Sequence, residues 1–164
     1  MEIVIASKNK GKIKEIRHYF SNSTLPQNIR EIKWLSFEDF ECFPDVDEGS
    51  ESFVENAKLK AQQIAEFTHK TALADDSGLE VDALGGSPGV TSSRYAGPDA
   101  TDEKNRKKLL EELKTISLPK KRRARFKCVM VLCGPGNNFI NISHGVCEGK
   151  IGFVQKGENG FGYD

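Results

Sequence analysis

Two aspartates, Asp75 and Asp76, stand side by side behind a short apolar run in "TALADDSGL", and Ser77 follows them. Neighbouring residues of a regular strand point to opposite faces, so both carboxylates cannot serve one ligand while the strand stays regular. One can face a site while the other fixes a loop or meets backbone amides. A hard cation such as Mg²⁺ takes one or two protein carboxylates and leaves the rest of its shell to water and phosphate oxygens. A second carboxylate must then come from elsewhere, and the acidic stretch around Asp47 and Glu48 offers one. The plainer reading also stands, because acidic clusters are often only solvated faces.

Groups that would meet a phosphate are present too. "SKNKGK" places Ser7, Asn9 and Lys12 between an expected strand and an expected helix. A helix start offers free backbone N–H groups and a positive dipole end, which suits an anion. The loop lacks the G-x-x-x-x-G-K-[ST] spacing, and G-x-G-x-x-G occurs nowhere in the chain. Taken alone it is equally an ordinary solvated turn. Lys60 in "ENAKLKA" follows Asn56 by four residues, so the two share a helix side. Lys60 could reach a phosphate, or simply cover a helix flank.

Other groups point less clearly to chemistry. The basic residues Lys120, Lys121, Arg122, Arg123, Arg125 and Lys127 are a candidate nucleic-acid patch, but no aromatic interleaves them before Phe126. A solvated loop, with Arg125 and Lys127 pointing outward from the strand that follows, is the expectation. Cys128, Cys133, His144 and Cys147 give C-x4-C-x10-H-x2-C, a faint zinc pattern. The odd separation of the first two puts them on opposite strand faces, roughly 16 Å apart at ~3.3 Å per residue. Reduced structural thiols are expected instead.

These groups need elements to hold them. Glu2 to Ala6 is a short apolar run and reads as a buried strand. Ile13, Ile16 and Phe20 then recur at helical spacing. "IREIKWL" allows a second strand. Ser52 and Glu55 have capping-box spacing at the head of a helix whose apolar stripe is Phe53, Ala57, Ala61, Ile64 and Ala65. The small alanines imply close packing on a sheet. "KTALA" enters a strand expected to end near the aspartate pair, and "LEVDALGG" reads as a further strand or hairpin arm. "TDEKNRKKLLEELKTI" reads as a third helix with Leu109, Leu110 and Leu113 inside, acids leading and bases following. "ARFKCVMVLC", the turn "GPGNN" and "FINISHGVCEGKI" form a late hairpin. Early strand–helix alternation with a late hairpin gives an α/β fold with a mixed sheet.

Composition narrows the field further. The 164 residues suit one domain, or two lobes sharing a cleft. Acids and bases balance at 24 each, with a pI near 6.8, which argues against a protein that coats nucleic acid or membranes. No run approaches a membrane span, and "MEIVIASKNK" lacks a signal-peptide pattern, so the cytoplasm is expected.

Taken together, "SKNKGKIKEI", "ESFVENAKLKA", "LADDSGLEVDALGGSPGVTSSRYAG", "RARFKCVMVL", "GVCEGKIG" and "GFGYD", in that order, resemble the inosine triphosphate pyrophosphatase family. These are the Ham1-like, non-canonical purine NTP pyrophosphatases, whose bacterial members are called dITP/XTP pyrophosphatases. The resemblance runs over nearly the whole chain. It implies an elongated α/β fold, a mixed sheet flanked by helices, two lobes around a central nucleotide cleft, and a homodimer. It implies Mg²⁺-dependent hydrolysis of dITP, ITP and XTP to the monophosphate and pyrophosphate. By the same resemblance Ser7, Asn9, Lys12 and Lys60 contact the triphosphate, and Asp76 is catalytic and binds the metal with Glu48. Ser77 contacts substrate, and Phe161, Gly162, Tyr163 and Asp164 form the base pocket, with the aromatic ring stacked on the purine.

Two departures bear on these expectations. "DEGSESFVENA" shifts a glycine by one place relative to the family's pattern, so Asp47 competes with Glu48 for the metal role. Family members continue past "FGYD" with a proline-containing loop and a Ser-His-Arg motif that clamps the purine, and this sequence stops at Asp164. The expectation is thus a single domain over residues 1–164 lacking the family's C-terminal segment. A working pyrophosphatase is the leading reading, and a truncated relative that binds nucleotides without turnover is the alternative.

Overall fold

The computed structural model describes every residue of the chain except Ser23, Asp47, Glu48, Ser50, Glu158 and Asn159. Strand β1 (Glu2–Ile5) leads into helix α1 (Lys10–Phe20), a single-turn helix α2 (Gln27–Arg30) and strand β2 (Lys33–Leu35). The long helix α3 (Phe53–Thr68) precedes strand β3 (Thr71–Val81), and helix α4 (Asp102–Glu112) precedes the hairpin of β4 (Arg123–Cys133) and β5 (Ile140–Lys150). The sheet order is β2-β1-β3-β4-β5.

The sheet is mixed. β1 runs parallel to β2, with Val4 opposite Leu35, and parallel to β3, with Val4 opposite Ala72. The hairpin is antiparallel. The Gly134 amide donates to the Phe139 carbonyl at 3.0 Å, Gly145 faces Cys128, and Arg125 meets Glu148. One register satisfies all three pairs.

The chain divides into two compact units, Met1–Asp76 with Val129–Ser143, and Ser77–Cys128 with His144–Asp164. In the first, α3 buries Ala57, Ala61, Ile64 and Ala65 against Val4, Ala72, Ala74, Val129 and Val131. Alanines at these positions let the helix backbone approach the sheet closely, as their spacing implies. The Ser52 hydroxyl caps α3 by accepting from the Glu55 amide at 3.4 Å. In the second unit, Leu79, Val81, Leu109, Leu113 and Ala124 form the core, with Tyr95, Ile116, Ile151 and Tyr163 packed on it.

Four local expectations change. β3 does not end at the aspartates but continues unbroken from Thr71 to Val81, because Leu79 and Val81 have a core of their own to enter. The residues just before β2 form α2, where a strand had been allowed. α4 keeps its leading acids, Asp102 and Glu103, but its last turn holds no base. Finally, the basic run is not simply a solvated loop. Arg122 is buried, donating to the carbonyls of Leu113, Ile116, Ile151 and Gly152 at 2.7–3.2 Å. Its guanidinium also lies over the Phe153 ring, 4.7 Å from the centroid. Arg125 spans Glu80, Asp82 and Glu148, and Lys127 pairs with Glu80. The charges of Arg125 and Lys127 are thus matched by acids on the sheet itself, while Lys120, Lys121 and Arg123 are exposed.

Candidate active site

Side-chain alternation along β3 sends the two aspartates to different partners. Asp75 Oδ2 lies 2.6 Å from Lys12 Nζ, from the first turn of α1. Asp76 meets α3 instead: Asn56 Nδ2 donates to its Oδ2 at 3.0 Å, and Lys60 Nζ lies 4.0 Å from its Oδ1. Asn56 and Lys60 are one helical turn apart and so share a face. All four of Asn56, Lys60, Asp75 and Asp76 are buried. A buried carboxylate persists as an anion only where hydrogen bonds and positive charge compensate its lost hydration, and here each has an ammonium beside it.

The first loop is more closed than a bare helix start. Asn9 is the N-cap of α1, and its Oδ1 accepts from the amides of Gly11 at 2.9 Å and Lys12 at 3.2 Å. The Ser7 hydroxyl accepts from the Asn9 amide at 3.1 Å. The helix-end donors expected to be open to an anion are therefore taken, at these two positions, by the loop's own side chain. What the loop brings to the aspartates is the Lys12 ammonium.

Glu48 and Asp47 lie outside the described residues. Ser77 opens the second unit, next to Asp76 in sequence. Phe161, Gly162, Tyr163 and Asp164 form a turn in that unit, closed by the Asp164 amide donating to the Phe161 carbonyl at 3.2 Å. A Cβ on Gly160 would lie 3.0 Å from the Asp164 Cβ and 3.1 Å from its Oδ2, and Gly160 has φ +93°; a side chain there would be both strained and crowded. The Tyr163 hydroxyl donates to the Ser92 carbonyl at 2.9 Å. Burial, then the charges of Asp102 and Glu112, push that hydroxyl above the usual phenol range, which keeps it a donor.

Asn56 is the member that sequence reasoning placed but gave no role. Its signal was visible as a polar side chain beside Ala57 in an otherwise small, apolar stripe, four residues before Lys60.

The carboxylate oxygens of Asp76 are the hard donors that Mg²⁺ takes. Among the described residues no group of three or more His, Cys, Asp and Glu could hold a metal, and Cys133 is buried while Cys147 is exposed. Mg²⁺ needs only one or two carboxylates when water and phosphate complete its shell, and Asp76 supplies a hard oxygen donor already oriented by Asn56. The cluster is thus two buried carboxylates of one strand, each balanced by a lysine from a different helix, on an α/β scaffold.

A family model described as "Ham1 family" matches residues 3–164, and the chain belongs to the Ham1 family. It is 46% identical over 162 residues to a dITP/XTP pyrophosphatase of Streptococcus pyogenes serotype M3, covering 99% of this chain and 47% of that protein. It is 43% identical over 164 residues to a dITP/XTP pyrophosphatase of Oceanobacillus iheyensis, covering 99% of this chain and 79% of that protein. The solved structure of a HAM1 protein from Coxiella burnetii superposes with a TM-score of 0.84 at 43% identity, over 100% of this chain and 79% of that one. The chain thus spans about half the length of the streptococcal relative, and its α/β architecture is the one that the Coxiella protein adopts.

Proposed function

We propose that this chain hydrolyses non-canonical purine nucleoside triphosphates, dITP, ITP and XTP, to the monophosphate and pyrophosphate, and so clears them from the nucleotide pool. The observation that carries this reading is the buried cluster in which Lys12 faces Asp75 while Asn56 and Lys60 face Asp76. Its support is the family and the name that the relatives carry.

Triphosphate hydrolysis needs charge balance, positioning and an activated water more than covalent help. Lys12 and Lys60 balance phosphate charge, with Ser7, Asn9 and Ser77 as further substrate contacts. Asp76, held by Asn56, or a neighbouring acid orients the water and takes its proton. Asp76 and Glu48 would hold Mg²⁺, which when bound would supply neutralisation and polarisation at the phosphoryl oxygens. Phe161 stacks on the purine, and Gly162, Tyr163 and Asp164 complete the base site. Hypoxanthine and xanthine carry a 6-oxo group where adenine has an amino group. A pocket built for one leaves buried polar groups unpaired with the other. We read residues 1–164 as one domain of this family, acting in the cytoplasm as a homodimer, with no nucleic-acid or membrane partner. Among the described residues no helix is long and apolar enough to cross a membrane.

Product analysis tests the reading. Incubation with dITP and Mg²⁺ should give dIMP and pyrophosphate in equal amounts, with dATP turned over far more slowly. Release of dIDP and orthophosphate, or equal rates on dITP and dATP, would overturn it.

A further inference from the structure

One turn of α4 grips a single residue of the Gly160–Asp164 stretch, Gly162, by its N–H on one side and its C=O on the other. Asp102 Oδ2 accepts from the Gly162 amide at 2.7 Å, and Arg106 Nη1 donates to the Gly162 carbonyl at 2.6 Å. The two side chains are four residues apart and lie on one helix face. Arg106 Nε also donates to Gln155 Oε1 at 2.8 Å, which fixes the plane of the guanidinium. Tyr163, the next residue, is tied to the Ser92 carbonyl. Gly162 has φ +62°, a conformation that most side chains avoid, so the turn is held in a definite and uncommon shape. Both partners of Gly162 are charged, and charge-assisted hydrogen bonds are the stronger kind.

The hold is not needed to make α4. That helix is seated by Leu109 and Leu113 in the second core and capped by Thr101, whose hydroxyl accepts from the Lys104 amide at 3.2 Å. Asp102 is exposed and Arg106 is half-buried. What the pair does fix is the backbone directly after Phe161.

We propose that Asp102 and Arg106 are positioning residues for base recognition, holding the Gly162 peptide so that the Phe161 ring is presented in one orientation to the purine. This rests on the reading of Phe161 as the stacking residue. An aromatic stack on a base is sensitive to plane and offset. A turn released from α4 samples many ring orientations, and the lost stacking weakens base binding while leaving phosphate contacts alone.

The test uses the full chain as D102A, R106A and D102N, with dITP kinetics, inhibition by inorganic tripolyphosphate and thermal unfolding. D102A and R106A should each raise the KM for dITP about tenfold, the order expected for a compromised base stack, with kcat changed less than about twofold. The tripolyphosphate inhibition constant should not move. D102N, whose amide oxygen still accepts from Gly162, should recover most of the D102A loss. An unchanged KM in both alanine variants of an active protein overturns the inference alone. So does a KM rise matched by an equal loss of tripolyphosphate affinity, which would mark a general disturbance. A wild-type protein that does not turn over dITP overturns the proposed function, and the inference with it.

Discussion

Lys12 Nζ sits 2.6 Å from Asp75 Oδ2, across 63 residues of sequence, and so ties the first turn of α1 to the middle of β3. The two ends differ in exposure: the Asp75 side chain is 7% exposed and that of Lys12 is 23%. Removing the lysine leaves a buried carboxylate without its ammonium, whereas removing the carboxylate leaves a lysine that water can reach. Lys12→Met should therefore destabilise the protein by about 1–3 kcal/mol, and Asp75→Asn by less. Urea unfolding midpoints check this, and an Asp75→Asn variant weaker than Lys12→Met would contradict it.

Arg122 carries four carbonyls and one aromatic ring. Arg122→Met keeps much of the volume but leaves those acceptors without their donor. The Leu113 carbonyl is the buried one of the four, and an unsatisfied buried acceptor costs about 1–3 kcal/mol, so a loss of about that size is expected. Arg122→Lys should recover only part of it, because an ammonium cannot reproduce the planar fork. Calorimetric unfolding of the three proteins measures the order, and a lysine variant equal to wild type would refute it.

The contrast between these two cations shows what the sequence could and could not tell. Lys12 was legible as a cation between the first strand and its helix, though its pairing with Asp75 was not, because nothing in the spacing links the two. Arg122 was not, because its partners are backbone carbonyls, which carry no residue identity. The stripe of Ala57, Ala61, Ile64 and Ala65 was readable from period alone, and the hairpin from its turn. The extension of β3 beyond Asp76 was not, since two charged residues in a strand look like its end unless each has a partner. Those partners, Lys12 on one side and Asn56 with Lys60 on the other, come from two distant helices. The capping role of Asn9 was hidden for a related reason: the same residue type serves an N-cap and an anion site.

The N-terminal strand has an acid-sensitive tie. Hydrogen bonds and charge from Lys70 and Lys33 hold the Glu2 carboxyl down at about 2, below its ordinary 4.5. A depressed acid stabilises the fold above its unfolded value and loses that contribution as pH falls through the folded value. Wild type should therefore exceed Glu2→Gln in melting temperature near pH 6, and the gap should close between pH 4.5 and about 2. A gap that widens in acid would show the sign to be wrong.

Cysteine chemistry should follow burial. Cys133 is fully buried, and that burial raises its thiol above the usual range, while Cys42 and Cys147 are exposed. A thiol-alkylating reagent near neutral pH should label Cys42 and Cys147 readily and Cys133 only once the protein unfolds, because the thiolate is the reactive form. Peptide mass spectrometry reads the three sites separately. Labelling of native Cys133 as fast as Cys147 would contradict the packing described for β4.

The most direct measurement is pyrophosphate release from dITP and XTP by wild type and Asp76→Asn, with Mg²⁺ and with EDTA. Asp76 keeps its place through Asn56 and Lys60, so an asparagine fits the site but lacks the charge and the proton-accepting oxygen. The account predicts turnover by wild type only with Mg²⁺, and a loss of at least about 100-fold in the variant. Wild-type turnover that survives EDTA, an Asp76→Asn protein that keeps its rate, or no release by wild type under any condition would contradict it.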